Sequence, residues 1–166
     1  DRVGVGTVAP TTNLDVDGSF RTGLVTLTAT GAITAATHAG RILLMGEVDG
    51  DAEATFTLPA ATGTGNVYKF IVSVVNTSSY VIQVPDSSHI LRGQVVTLND
   101  TTAGGVDSTI SWPTATQSDT ITLNGTDTGG ASIGDYVELT DILTNIYAVS
   151  GLLRASGTEA TPFSAA

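Results

Sequence analysis

The chain has no cysteine, one lysine, one tryptophan and two histidines among its 166 residues. Without cysteine there is no disulfide, no thiolate nucleophile and no thiolate zinc site, and the redox compartment stays open. Lys69 and five dispersed arginines stand against sixteen carboxylates, for a formal net charge of −10. Non-specific affinity for nucleic acid depends on clustered Lys and Arg neutralising phosphates, so no nucleic-acid partner is expected. Charged residues are only 13% of the chain. Even so, no run approaches the roughly 20 apolar residues that span a bilayer, and Lys69 interrupts the longest candidate, so no membrane partner is expected.

What is abundant is threonine, valine, alanine and glycine, while the residues that favour exposed helix faces are scarce. This composition predicts strands. Thr55-Phe56-Thr57-Leu58, Thr120-Ile121-Thr122-Leu123 and Tyr136-Val137-Glu138-Leu139-Thr140 alternate polar and apolar side chains, as half-buried strands do. Residues 67–75 form the strongest case: Tyr68, Phe70, Val72 and Val74 make one apolar face, and Lys69 and Ser73 mark the other as partly wet. Asn76-Thr77-Ser78-Ser79 reads as a hairpin loop returning the chain through residues 80–84. Further strands are expected over residues 24–28, 41–45, 94–98 and 146–153, with turns at Asp49-Gly50, residues 63–66, Gly104-Gly105 and Gly129-Gly130. The expected class is all-β, an antiparallel β-sandwich or jelly roll with very little helix. Residues 97–105 and 122–130 resemble each other, but nothing else recurs at that offset. They read as two similar strand-turn units rather than a solenoid.

Residues with chemistry are few. Gly4-Val5-Gly6-Thr7-Val8-Ala9 satisfies G-x-G-x-x-A, but no strand leads in and no helix leads out, so no dinucleotide site is expected. Any His-dependent mechanism must use His38 or His89. His89 sits with Asp86 and Ser87 in a loop, too close in sequence for a nucleophile-base-acid relay, and a solvated or turn-stabilising role is the default. On one regular strand, Asp49, Asp51 and Glu53 would share a face about 7 Å apart. That spacing suits a calcium ion or an inverting glycosidase pair. Gly50 breaks the alternation, which favours a hairpin tip whose charges face water. Asp15-Val16-Asp17-Gly18 lacks the further ligands of a calcium loop and reads as a turn. Trp112, before Pro113 in a Ser- and Thr-rich loop, is the one aromatic expected to be both large and exposed, capping the sandwich edge or touching a ligand. No catalytic residue, cofactor or metal site is expected, and the chain reads as a non-enzyme.

The opening segment is the most distinctive. Glycines alternate with valines in Val3-Gly4-Val5-Gly6-Thr7, Pro10 follows, and a short strand, Leu14-Asp15-Val16, closes on Asp17-Gly18 before Phe20-Arg21. Small residues at Gly4, Gly6 and Gly18 let backbones approach closely. Residues 1–23 thus read as an extended arm and residues 24–166 as the sandwich. The arm resembles a module of tail fibres and related trimeric surface proteins of tailed bacteriophages, V-G-I-G-T-x-x-P-x-x-x-L-D-V-x-G followed by a hydrophobic residue and Arg. Val5 stands where Ile is usual, and Phe20 where Ile or Val is usual. Beyond it, Thr37-His38-Ala39-Gly40-Arg41, Thr57-Leu58-Pro59-Ala60-Ala61-Thr62-Gly63-Thr64-Gly65, Tyr68-Lys69-Phe70 and Glu159-Ala160-Thr161-Pro162-Phe163-Ser164-Ala165 are similar to a β domain of environmental-phage fibre, head-fibre or capsid-decoration proteins. The resemblance implies a virion surface location, a homotrimer and contacts with other capsid or tail proteins. It makes Val3, Gly4, Val5, Gly6, Thr7, Pro10, Leu14, Val16, Gly18 and Phe20 the assembly residues. Two rival expectations are a fibre domain whose loops recognise host surface glycans and a polysaccharide depolymerase using Asp49, Asp51 or Glu53.

Overall fold

The computed structural model describes residues 2–47, 52–99 and 109–165. In the arm, β1 (Val3–Val5) and β2 (Leu14–Val16) pair in parallel as a separate two-stranded ribbon. The described strands after it form two facing sheets, joined by one core.

The first half of the body is a ramp. Strands β3 (Leu24–Leu27), β4 (Gly31–Ala32), β5 (Ile42–Met45), β6 (Ala54–Thr57), β7 (Val67–Val72) and β8 (Tyr80–Gln83) alternate between the sheets at each step. Consequently β3, β5 and β7 are parallel neighbours in one sheet, and β4, β6 and β8 are parallel neighbours in the other. One four-residue helix, α1 (Ala35–His38), lies between β4 and β5. The second half extends both sheets with β9 (Ile90–Asn99), β10 (Thr109–Pro113), β11 (Thr120–Leu123), β12 (Tyr136–Leu143), β13 (Ile146–Ala155) and β14 (Phe163–Ser164). The final orders are β10-β9-β13-β12-β7-β5-β3 and β14-β11-β8-β6-β4.

The all-β class and the expected strands are present, with that at residues 67–75 ending at Val72 and those at residues 94–98 and 146–153 extended to ten residues each. The expected antiparallel pairing is corrected: both sheets are mixed, parallel along the ramp and at β9–β13, and antiparallel where β10, β11, β12 and β14 join. The expected hairpin between β7 and β8 is an arch. Its strands lie in opposite sheets, and one side chain shapes the loop between them. Asn76 Oδ1 accepts from the backbone N–H groups of Ser78 and Ser79, while Asn76 Nδ2 donates to Ala52 O at 2.7 Å. Tyr80 then enters the small sheet with its hydroxyl donating back to Val74 O at 2.9 Å. The true tight hairpin is β12–β13, turned at Asn145, whose φ of 64° suits a left-handed position. Gly104-Gly105 lies outside the described residues. The other half of the internal resemblance, at residues 122–130, is the end of β11 and a following loop held by Asn124 Oδ1, which accepts from Thr126, Asp127 and Thr128 N–H.

Alternation predicts the core well. Tyr68, Phe70 and Val72 are buried on the inner face of β7, and Val67, Lys69 and Ile71 are half-buried on the outer face. Phe56 of the small sheet stacks on Phe70 of the large one and on Tyr80, each pair with ring centroids 6.0 Å apart. Burying a side chain of this size stabilises by roughly 1.5–3 kcal/mol, so this cross-sheet stack is a main tie between the layers. The sheet edges are kept short: β4 and β14 have two residues each, and Pro113, which has no N–H to donate, ends the edge strand β10.

Candidate functional site: the arm and the outer sheet face

The arm holds its shape through its own polar groups. Val3 N–H donates to Asn13 O and Asp17 N–H to Val5 O, both at 2.8 Å. Asp15 Oδ2 accepts from Thr11 N–H at 2.8 Å and from Thr11 Oγ1 at 3.0 Å, which ties the turn after Pro10. The carboxylate is thus a clasp for the turn at residues 11–15; the expected turn at residues 15–18 is corrected, since Asp15 and Val16 belong to β2 and only Asp17 and Gly18 follow it. Gly6 has φ of +79°, and a Cβ there would fall 2.7 Å from Asp17 O. A Cβ at Gly4 would collide with Thr7 O. The close approaches that call for glycine are therefore within the arm itself. The arm's apolar side chains face outward: Val3, Val5, Val8, Leu14 and Phe20 are all exposed, Phe20 at 80%.

The arm leads into β3, an edge of the large sheet, whose outer face is unusually apolar. Cross-strand register places Val96, Leu152, Tyr136, Ile71 and Leu44 in one lateral row over five strands. All of them are only half-buried or exposed. Beside the row, Lys69 Nζ lies 3.8 Å from Glu138 Oε2 and 4.6 Å from the centre of the Tyr136 ring. At the root of the arm this face dips into a groove of about 370 Å³ that Thr22, Arg41, Ile42, Val67, Lys69 and Glu138 line.

The other candidate residues do not converge. Asp49 and Asp51 lie outside the described residues, and Glu53 is exposed just before β6. Among the described residues no group of three His, Cys, Asp or Glu is placed to hold a metal ion. Trp112 is corrected from an exposed loop residue to a half-buried one on β10, packed against the core. It caps the sheet edge, and its Nε1–H is buried with no hydrogen-bond partner among the described residues. Sequence alternation missed β10 because Ser111 and Pro113 resemble a loop; its inward residues, Ile110 and Trp112, are the signal that was there.

His38 ends α1, its Nδ1 accepting from Thr34 N–H at 2.9 Å. His89 is buried rather than solvated and stabilises a turn. Its Nδ1 lies 2.9 Å from Asp86 Oδ1, which also accepts from Ser88 Oγ. The Ser88 and His89 hydrogen bonds hold the Asp86 carboxyl down at about 2. A serine-histidine-carboxylate relay needs the two partners on different ring nitrogens. Here the serine beside the ring is Ser88, not the Ser87 considered from the sequence; its Oγ and Asp86 both face Nδ1, and it bonds the carboxylate directly. The group clamps a turn beside a cavity of about 230 Å³ lined by Gln83, Val84, Pro85, Asp86, Ser87, Asp119 and Thr120.

Two buried carboxylates that sequence reading did not single out organise the body. Asp141 receives the backbone N–H groups of Thr62, Gly63 and Thr64 and the Thr64 hydroxyl. Burial pushes its carboxyl up, but these donors together outweigh burial and leave it below the ordinary range. Asp135 Oδ2 accepts from Gly130 N–H at 3.1 Å and Arg154 N–H at 2.8 Å, strapping the turn before β12 to β13. There burial dominates, and the carboxyl lies above its ordinary value. Both occupy loop-facing positions where a lone Asp carries no sequence signature.

No helix among the described residues is long and apolar enough to cross a membrane. No protein-family model, curated protein or solved structure matches the chain.

Proposed function

We propose that this chain is a structural protein of a tailed-phage virion, a homotrimer on the particle surface that serves as a fibre or capsid-decoration element and carries no catalytic activity. The observation that carries this reading is the arm. It presents five exposed apolar side chains in a segment whose residues, from Val3 to Arg21, follow the phage-fibre pattern. Exposed apolar groups concentrated in one short segment are characteristic of surfaces that become buried on association. The mechanism is mechanical: the arm docks, the rigid two-sheet body projects, and neighbouring copies cover sheet edges that would otherwise invite edge-to-edge aggregation. The partners are further copies of the chain and the capsid or tail proteins to which the particle attaches it. Size exclusion with light scattering should return the mass of three chains. A single-chain mass at micromolar concentration would refute the assembly.

A further inference from the structure

Building on the reading of the chain as a self-assembling trimer, we propose that the groove at the root of the arm receives Phe20 from the arm of a second copy. Phe20 is the most exposed aromatic side chain among the described residues, at 80%. The groove, about 370 Å³, has apolar walls in Ile42 and Val67 and a charged rim in Arg41, Lys69 and Glu138. A cleft of that size and lining admits an aromatic ring while leaving its charged rim in water.

Position argues for a copy rather than the same chain. Thr22 lines the groove, yet Phe20, only two residues earlier, stands in solvent, so each arm starts at its own groove without placing its own Phe20 in it. In a closed ring every subunit meets its neighbours through two different patches, and an outward arm and a groove at its base form such a pair. Charge agrees. The chain is strongly acidic, so most of its surface repels a second copy. Four of its six cations belong to the large sheet or its approach: Arg41 just before β5, and Lys69, Arg92 and Arg154 at outer-face positions of β7, β9 and β13. The arm carries the exposed Asp17 carboxylate three residues before Phe20, a charge that the Arg41 and Lys69 rim attracts.

The test uses the full chain. Phe20→Ser removes the ring at an exposed site outside both sheets, so the far-UV spectrum and thermal unfolding of the body should be retained. The concentration at which the trimer dissociates should rise roughly thirtyfold or more, the range of an anchoring residue. Because the chain has no cysteine, a Phe20→Cys chain mixed with a Val67→Cys chain should yield an inter-chain product with a short bis-maleimide. The control pairing of Phe20→Cys with Ser164→Cys, on the small sheet, should not. If the wild type is trimeric but Phe20→Ser leaves dissociation unchanged and no inter-chain product forms, the groove proposal is overturned while the trimer stands. Cross-linking confined to single chains of a Phe20→Cys/Val67→Cys double variant overturns it too. A monomeric wild type removes both.

Discussion

Asp141 offers the sharpest test of how the body is held together. Its carboxylate, 2% exposed, takes three consecutive backbone N–H groups, with Gly63 at 2.6 Å and Thr62 at 3.0 Å, and the Thr64 hydroxyl at 2.7 Å. Hydrogen bonds to a charged group contribute about 1.5–3 kcal/mol each, and a buried donor left without an acceptor costs about 1–3 kcal/mol. The three share one acceptor group and do not add, so Asp141→Ala should destabilise by roughly 3–5 kcal/mol. In a chain of this length that is a drop in Tm of about 6–20 °C. Asp141→Asn keeps one acceptor oxygen but turns an NH2 towards the donors, and should lose about 2 kcal/mol. The sign with pH is fixed by the lowered folded value. The carboxylate's contribution is complete above the unfolded value of about 3.9 and is lost as pH falls through the lower folded value. Thermal unfolding of wild type and Asp141→Asn at matched chain concentration should therefore show a gap that is full at pH 7 and narrows below about pH 4. A gap that is absent at neutral pH, or that stays constant into acid, would refute the clasp.

The remaining predictions are independent of that loop. Phe70→Ala, which removes a ring with no exposed surface, should cost about 3–5 kcal/mol in urea unfolding, whereas Lys69→Ala, on the half-wet outer face, should cost under about 1 kcal/mol; equal losses would mean that the strand's orientation is misread. Asp135, whose carboxyl is raised by burial, should behave oppositely to Asp141: its contribution is full below about pH 3.9 and is lost as pH rises through the folded value, so wild type should gain on Asp135→Asn as the solution is acidified. Asn76→Ala, which strands the Ser78 and Ser79 N–H groups, should lower stability by about 1–3 kcal/mol and raise hydrogen exchange in the arch, and normal protection there would count against its role. Replacing Gly4 and Gly6 together with Val should disorder the arm and weaken assembly while the body's unfolding transition survives; a trimer as tight as wild type would show that the arm's backbone shape is dispensable.

Much of this protein is legible from residue types alone. The alternation through Tyr68, Phe70 and Val72, and through Val137 and Leu139, names the inner face, because side chains on a strand have a period of two whatever the strand pairs with. The scarcity of helix formers accounts for a helix content of one short turn among the described residues. The arm's turns are equally local, since Pro10, Asp15 and the glycines act within a few residues of themselves or on the facing strand.

What the sequence leaves open is which strands become neighbours. Alternation states that residues 67–72 and 80–83 each have a buried face, and that holds equally for a hairpin and for an arch. The difference lies in contacts that alternation does not encode: the Asn76 amide ties the arch loop to Ala52, just before β6, and the Tyr80 hydroxyl of the small sheet reaches back to Val74, just past β7. The same limit hid the roles of Asp135 and Asp141, whose donors lie up to 79 residues away in sequence. Trp112 was ambiguous for a related reason, since an edge strand ending in proline resembles a loop until β9 is set beside it. Local propensity and periodicity are properties of short segments, so the sequence by itself determined the strands and their faces. Pairing, layer crossing and the burial of single polar groups depend on which distant segments can satisfy one another's hydrogen bonds, and only the tertiary structure decided those.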